Sequence, residues 1–236
     1  LEMRSLRQVS EVLKNYRISL VKPESLDVTE LVSRFPSFSI RSFRDEFFEG
    51  IAGYNSLMMS EEFYSAFQDS QYILIYQTDA YVFRDELEQW CREGYDYVGA
   101  PWLKKPVYNL PVISWIMSIG FNRDRRKGRR NKQELYNKVG NGGLSLRKVQ
   151  SHLRVVKEER ESIREYLAVR NHMYNEDVFW SGIESFHYPD ALRALAFSFD
   201  KYPKLCYRLN GRKLPFGCHA WYSRKMRGFW RGIIEF

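Results

Sequence analysis

Apolar residues return along this chain with two different periods, and the alternation between them sketches a fold. Met3, Leu6, Val9, Val12 and Leu13 stand three or four apart with charged residues between them, which predicts a helix over 3–15. Arg17-Ile18-Ser19-Leu20-Val21 is a short β-like run that Pro23 ends. Residues 27–34 predict another short helix. An aromatic segment with Phe35, Phe38, Phe43, Phe47 and Phe48 follows, and then a helix over 54–69 through Leu57, Met58, Phe63 and Phe67. Tyr72-Ile73-Leu74-Ile75-Tyr76 is continuous rather than alternating, which predicts a central strand covered on both faces. A helix over 85–93 and a strand over 97–100, ended by Pro101-Trp102, extend the succession. Helices alternating with short strands predict an α/β fold: a mixed, mostly parallel central sheet flanked by helices.

The pattern breaks at 103–137, which reads as an insertion holding an apolar piece from Val112 to Ile119 and a basic cluster from Arg123 to Arg130. It resumes at Lys138-Val139-Gly140-Asn141-Gly142-Gly143-Leu144-Ser145-Leu146-Arg147. A charged helix over 148–169 follows, and Asn175-Glu176-Asp177-Val178-Phe179-Trp180 opens another, with its acids at the positive end of the helix dipole. Beyond residue 190 the expectation is short strands and turns, ending in a basic aromatic tail over 222–236. With 236 residues, no internal repeat and no low-complexity linker, a single domain over 1–236 is expected.

Charge narrows the partners. Thirty-seven Lys and Arg against 29 Asp and Glu leave a net +8, which favours anionic ligands and surfaces. No RNA- or DNA-binding motif accompanies that charge, so nucleic acid is not an expected partner. The basic stretches 123–130 and 224–231 suit an anionic membrane surface instead. Cys91, Cys206 and Cys218 form neither a disulfide framework nor a zinc pattern, and no run approaches the roughly 18 apolar residues of a membrane span. The expected location is the cytoplasm, at the inner face of a plasma membrane.

Four segments could carry chemistry. Asp79 follows the strong strand at its carboxyl end, where α/β sheets place ligands; a carboxylate there can hold a divalent cation or simply cap the next turn. Gly140-Asn141-Gly142-Gly143 lets backbone approach a ligand closely, although it also serves as a hairpin turn. Glu176 and Asp177 can cap a helix, or one of them can deprotonate a hydroxyl. His219, in Pro215-Phe216-Gly217-Cys218-His219-Ala220-Trp221, is either a ligand for a Mn²⁺-like metal or a hydrogen-bonded core histidine.

Taken in order, Tyr72–Phe83, Tyr95–Trp102, Val139–Arg147, Asn175–Trp180 and Pro215–Trp221 resemble a family of bacterial GT-A-like glycosyltransferases known as DUF5672. The resemblance implies a single GT-A-like domain: a Rossmann-like nucleotide-binding half plus acceptor-side elements. In Gln77-Thr78-Asp79 it implies the Asp-any-Asp metal motif with Gln in place of the first Asp, and with it a smaller negative charge for the metal. Asp79 and His219 would hold Mn²⁺ or Mg²⁺ against the diphosphate of a nucleoside-diphosphate sugar, a UDP-sugar being the expected donor. Gln77, Thr78, Asn141, Gly142, Gly143, Trp102 and Trp221 would bind substrate, and Asp177 or Glu176 would act as base in an inverting transfer to a glycan or lipid-linked glycan. The family pattern also has an opening strand upstream of the first helix, with which this chain begins. Two other readings stand beside this one. The first is an inactive glycan- or nucleotide-binding module of the same fold, favoured by Gln77. The second, motivated by the basic charge alone, is a nucleic-acid-binding protein.

Overall fold

The computed structural model describes residues 1–235. Helix α1 (Glu2–Val12) leads into β1 (Ile18–Pro23), which pairs in parallel with β2 (Phe38–Phe43) across the crossover helix α2 (Thr29–Arg34). A single-turn 3₁₀ helix over Asp45–Phe48 then leads to α3 (Gly50–Met58) and α4 (Glu61–Ser65). The single helix expected over 54–69 is therefore two. Ser60 adopts an extended backbone between them and caps α4, its Oγ accepting the Phe63 N–H at 3.0 Å.

Strands β3 (Tyr72–Tyr76) and β4 (Tyr81–Val82) precede α5 (Leu87–Arg92), β5 (Tyr97–Val98) and β6 (Ala100–Pro101). The segment read as an insertion holds α6 (Pro111–Arg126), and its base is closed by paired backbone bonds: Trp102 N–H to Lys138 O and Asn137 N–H to Trp102 O, both 2.9 Å. Then come β7 (Val139–Gly140), β8 (Leu144–Lys148), α7 (Val149–Glu158), α8 (Arg160–Ala168) and α9 (Glu176–Trp180). The C-terminal part contributes α10 (Ala191–Phe197), β9 (Ser198–Phe199), α11 (Pro203–Leu209), β10 (Gly217–Cys218) and α12 (Arg227–Trp230).

The mixed α/β class holds, but the expected mostly parallel central sheet does not form. β8 lies between β3 and β5 and is antiparallel to both, with Tyr72 opposite Lys148 and Tyr76 opposite Leu144. β10 is antiparallel to β4 and parallel to β9, and β6 pairs antiparallel with β7. A continuous apolar strand reports cover on two faces, whichever way its neighbours run. β3 has that cover: Ile73 and Ile75 pack into a cluster with Phe63, Tyr64 and Trp180, while Tyr72, Leu74 and Tyr76 pack into another with Leu13, Trp90 and Phe197.

The region beyond residue 190 also departs from expectation, since it is built around three short helices. Asp190 caps α10 by accepting the Leu192 and Arg193 N–H groups, both at 2.8 Å, and Pro203 opens α11. Helices of two turns repeat the 3.6-residue period too few times to be read from it. The basic aromatic tail packs inward, with Trp230 and Ile234 buried in a third cluster with Leu195, Phe199, Cys206, Cys218 and Trp221. Phe236, the last residue of that tail, lies outside the described residues.

Candidate functional site

Strands β3, β9 and β10 deliver side chains to one place. Gln77 follows β3, Asp200 follows β9, His219 follows β10, and Asp79 sits in the turn that leads into β4. The Gln77 N–H donates to Gly143 O at 2.9 Å, one step beyond the Tyr76–Leu144 pair, so the β3–β8 ladder itself brings the glycine loop over the turn.

His219 is the hub. Its Nε2 lies 3.0 Å from Asp79 Oδ1 and 3.3 Å from Gln77 Oε1, and its Nδ1 lies 3.3 Å from Asp200 Oδ1 and 3.2 Å from Asn141 Nδ2. With an Nδ1–H directed at Asp200, the Asn141 amide is a contact rather than a hydrogen-bond donor. Burial by itself lowers the pKa of this imidazole, but hydrogen bonds and charge from Asp200 and Asp79 outweigh it and push the value up to about 9. At neutral pH the ring is a cation held between two carboxylates.

The loop packed against it depends on its glycines. Asn141 takes a left-handed backbone (φ 76°), and its Oδ1 accepts the Gly143 N–H at 2.7 Å, which folds the loop back on itself. A Cβ at Gly143 would stand 2.1 Å from His219 Nε2, and one at Gly142 would stand 1.9 Å from Glu176 Oε1. Both positions therefore exclude a side chain to let the backbone pass between the imidazole and the start of α9.

The structure divides the two acids at that helix start. Glu176 is 2% exposed and pairs at 2.9 Å with Arg147, which is fully buried, donates to Tyr64 Oη and Ser145 Oγ, and lies over the Tyr97 ring. Burial raises the Glu176 carboxyl to about 7 against the pull of that guanidinium. It thus bridges Arg147 of β8 and the glycine loop. Asp177 is half-buried and accepts the Val178 N–H at 2.9 Å; burial raises its pKa, and the negative charge of Asp200 adds to the rise.

Of the remaining expected substrate contacts, Thr78 is exposed on the turn between Gln77 and Asp79. Trp102 is half-buried with its ring against Gly140, where a Cβ would meet it at 2.1 Å. The Trp221 side chain is fully buried, edge-on to Tyr81 and Tyr222, and its backbone N–H points at Asp79 O at 3.4 Å. Asp200 was not expected. Its signal, an acid directly after a strand, was hidden because β9 is two residues long.

A divalent ion fits part of this arrangement. Two ligands about 2.1 Å from an octahedral ion and at right angles to each other stand about 3 Å apart, which is the Asp79–His219 separation. Asp200 on Nδ1 would keep Nε2 turned toward Asp79, as partners of metal-bound histidines do. Among the described residues, however, no three His, Cys, Asp or Glu side chains are grouped to hold an ion by themselves. The protein alone offers Asp79, His219 and the Gln77 amide oxygen, a set that leaves positions for phosphate oxygens and water.

Fold and site together define a mixed α/β protein with a carboxylate–imidazole cluster at its strand ends. The chain belongs to the family described as "Protein of unknown function (DUF5672)", whose model matches residues 37–219 and so spans every residue of the cluster. A comparison with curated proteins finds no match. Among solved structures, mouse xyloside xylosyltransferase 1 in its apo form is similar over 86% of this chain and 83% of that one, at 12% identity and a TM-score of 0.44. A197 from STIV is similar over 73% of this chain and 80% of that one, at 14% identity and a TM-score of 0.32. Likeness this loose carries no argument about function.

Proposed function

We propose that this protein is a glycosyltransferase that moves a sugar from a nucleoside-diphosphate sugar, a UDP-sugar in the first instance, to a hydroxyl of a glycan or lipid-linked glycan. The observation that carries the reading is the meeting of Asp79, His219, Asp200 and Gln77 against a glycine loop at the carboxyl ends of strands. Asp79, His219 and Gln77 would hold Mn²⁺ or Mg²⁺. When bound, such an ion neutralises the charge that develops on a departing diphosphate.

The other groups have roles of their own. Asp200 orients the imidazole. The glycines at 142 and 143 let the loop backbone lie against His219 and Glu176, and the exposed part of Trp102 offers a sugar ring an apolar face. Asp177, whose pKa burial raises above that of an ordinary aspartate and which stays partly open to solvent, accepts the proton of the acceptor hydroxyl, as an inverting transfer requires. Glu176, ion-paired and closed off, supports the loop and takes no proton from the acceptor.

The test is release of nucleoside diphosphate from a panel of nucleotide sugars with Mn²⁺, for the wild type and for Asp79→Asn. Release that Asp79→Asn abolishes supports the reading; release at the wild-type rate in that variant refutes the role of Asp79. A second reading, an inactive binding module, draws on Gln77 and on the absence of a complete ligand set among the described residues. It predicts nucleotide sugars that raise the melting temperature without any diphosphate release.

A further inference from the structure

Helix α6 exposes more apolar surface than a solvated helix should. Its inner side, through Ile113, Met117 and Phe121, is half-buried against its own segment, and the Gln133 side-chain amide donates to Met117 O at 2.8 Å. Its outer side carries Val112, Trp115, Ile116 and Ile119, which are 69, 65, 57 and 49% exposed. These four stand three or four residues apart and make a single row. At 3.6 residues per turn, Arg123 and Arg126, both exposed, continue it. One face of the helix is thus apolar for its first turns and cationic at its last. Leu110, 53% exposed, lengthens the apolar end, and exposed Arg125, Lys127 and Arg129 surround the basic end.

That order selects an occupant. A neutral protein groove would match the apolar residues and leave the arginines without partners, whereas an anionic bilayer surface matches both. Its acyl boundary takes Val112, Ile116 and Ile119, the headgroup layer suits the Trp115 indole, and lipid phosphates meet the arginines at the ends of their long stems. No helix among the described residues is long and apolar enough to cross a membrane. We infer that α6 docks in the plane of an anionic membrane, its Val112–Ile119 face in the headgroup–acyl boundary and its last turn on lipid phosphates.

The placement has a consequence for the cluster. The inserted segment hangs from the β6–β7 hairpin, directly before the Gly140–Gly143 loop, and Lys105 Nζ lies 4.4 Å over the ring of Tyr202, two residues from Asp200. A docked α6 would tether to the bilayer a segment whose two ends join the strands next to the Asp79–His219 cluster. The inference does not depend on the catalytic reading, and its test uses no substrate.

The test is co-sedimentation of the full chain with vesicles of phosphatidylcholine alone or mixed with phosphatidylglycerol. The wild type should sediment with the anionic vesicles and be released by salt, while Ile116→Glu should bind at least about tenfold more weakly. Melting temperatures of the variants should match the wild type, because these side chains are exposed. Trp emission should shift to the blue on anionic vesicles, and the shift should vanish in Trp115→Phe. Absence of sedimentation, or equal sedimentation of wild type and Ile116→Glu, overturns the inference. A dimer in light scattering that Ile116→Glu dissociates would show a second copy covering the face, and overturns it too.

Discussion

His219 gives the cluster a pH at which it changes charge. The imidazole is held between Asp79 at 3.0 Å and Asp200 at 3.3 Å, and although burial opposes its charge, those carboxylates bring its pKa to about 9. In the unfolded chain the same ring titrates near about 6.5. A basic group whose pKa is raised by folding stabilises the fold fully below its unfolded value, and that stability is lost as the pH climbs through the folded one. The window is therefore about 6.5 to 9. A rise of about 2.5 in pKa, at about 1.36 kcal/mol for each unit, gives an upper bound of ~3.4 kcal/mol. Asp79 is 30% exposed and solvent screens its share, which brings the expectation to about 2 kcal/mol. For a chain of this size that is roughly 4–8 °C in melting temperature. The assay is melting across that window in chelator, wild type beside His219→Gln, with the imidazole followed by proton NMR. The wild type should lose about 4–8 °C more than the variant. Parallel melting curves, or an imidazole that titrates near 6.5, would refute the reasoning.

Three further outcomes follow from the same geometry. If His219 Nε2 is a ligand, Mn²⁺ must displace its proton, so affinity measured by calorimetry should rise roughly tenfold per pH unit toward about 9; a flat profile removes the histidine from the site. Gly143→Ala sets a methyl 2.1 Å from Nε2 and 2.3 Å from Cδ2 of a ring already held on two sides, and it should cost about 1–3 kcal/mol in urea melts and weaken Mn²⁺ binding. A wild-type midpoint together with wild-type Mn²⁺ affinity would contradict that packing. Arg147→Met leaves Glu176 buried beside no cation and should cost about 3–5 kcal/mol at about pH 8. The gap should narrow toward about pH 5, where Glu176 keeps its proton in both proteins, and a gap independent of pH would mean that the pair does not carry the stability assigned to it.

The parts of the cluster that were legible in the sequence are those announced by local pattern. The unbroken run Tyr72–Tyr76 fixed one strand, and Gln77 to Asp79 had to follow at its end. Three glycines in four residues marked the loop. What could not be read depends on partners distant in the chain. Arg147 looks like the end of an ordinary Leu-Ser-Leu-Arg strand until Glu176 arrives from α9 to neutralise it. Asp200 gains a role only because β9 and β10 run parallel, which sets it beside a histidine 19 residues further on. Trp221 is a substrate contact only by family resemblance; rings are the bulkiest filler a core can use, and this one is buried in the core. Strand direction was misread for a similar reason, since lateral cover on two faces leaves the same trace in either orientation.

The inserted segment leaves the body of the protein at Trp102 and rejoins it at Asn137 and Lys138, where two backbone bonds bind its exit to its entrance. Because the two ends already touch, changes of length between them can be absorbed away from the strands that carry Gln77, Asp79, Asp200 and His219, so long as the contacts of Lys105 with Tyr202 and of Arg130 with Tyr166 and Tyr174 are kept. On the two proposals made above, an address and a chemistry are kept apart: the looped-out segment of some three dozen residues would carry the first, and the frame would carry the second.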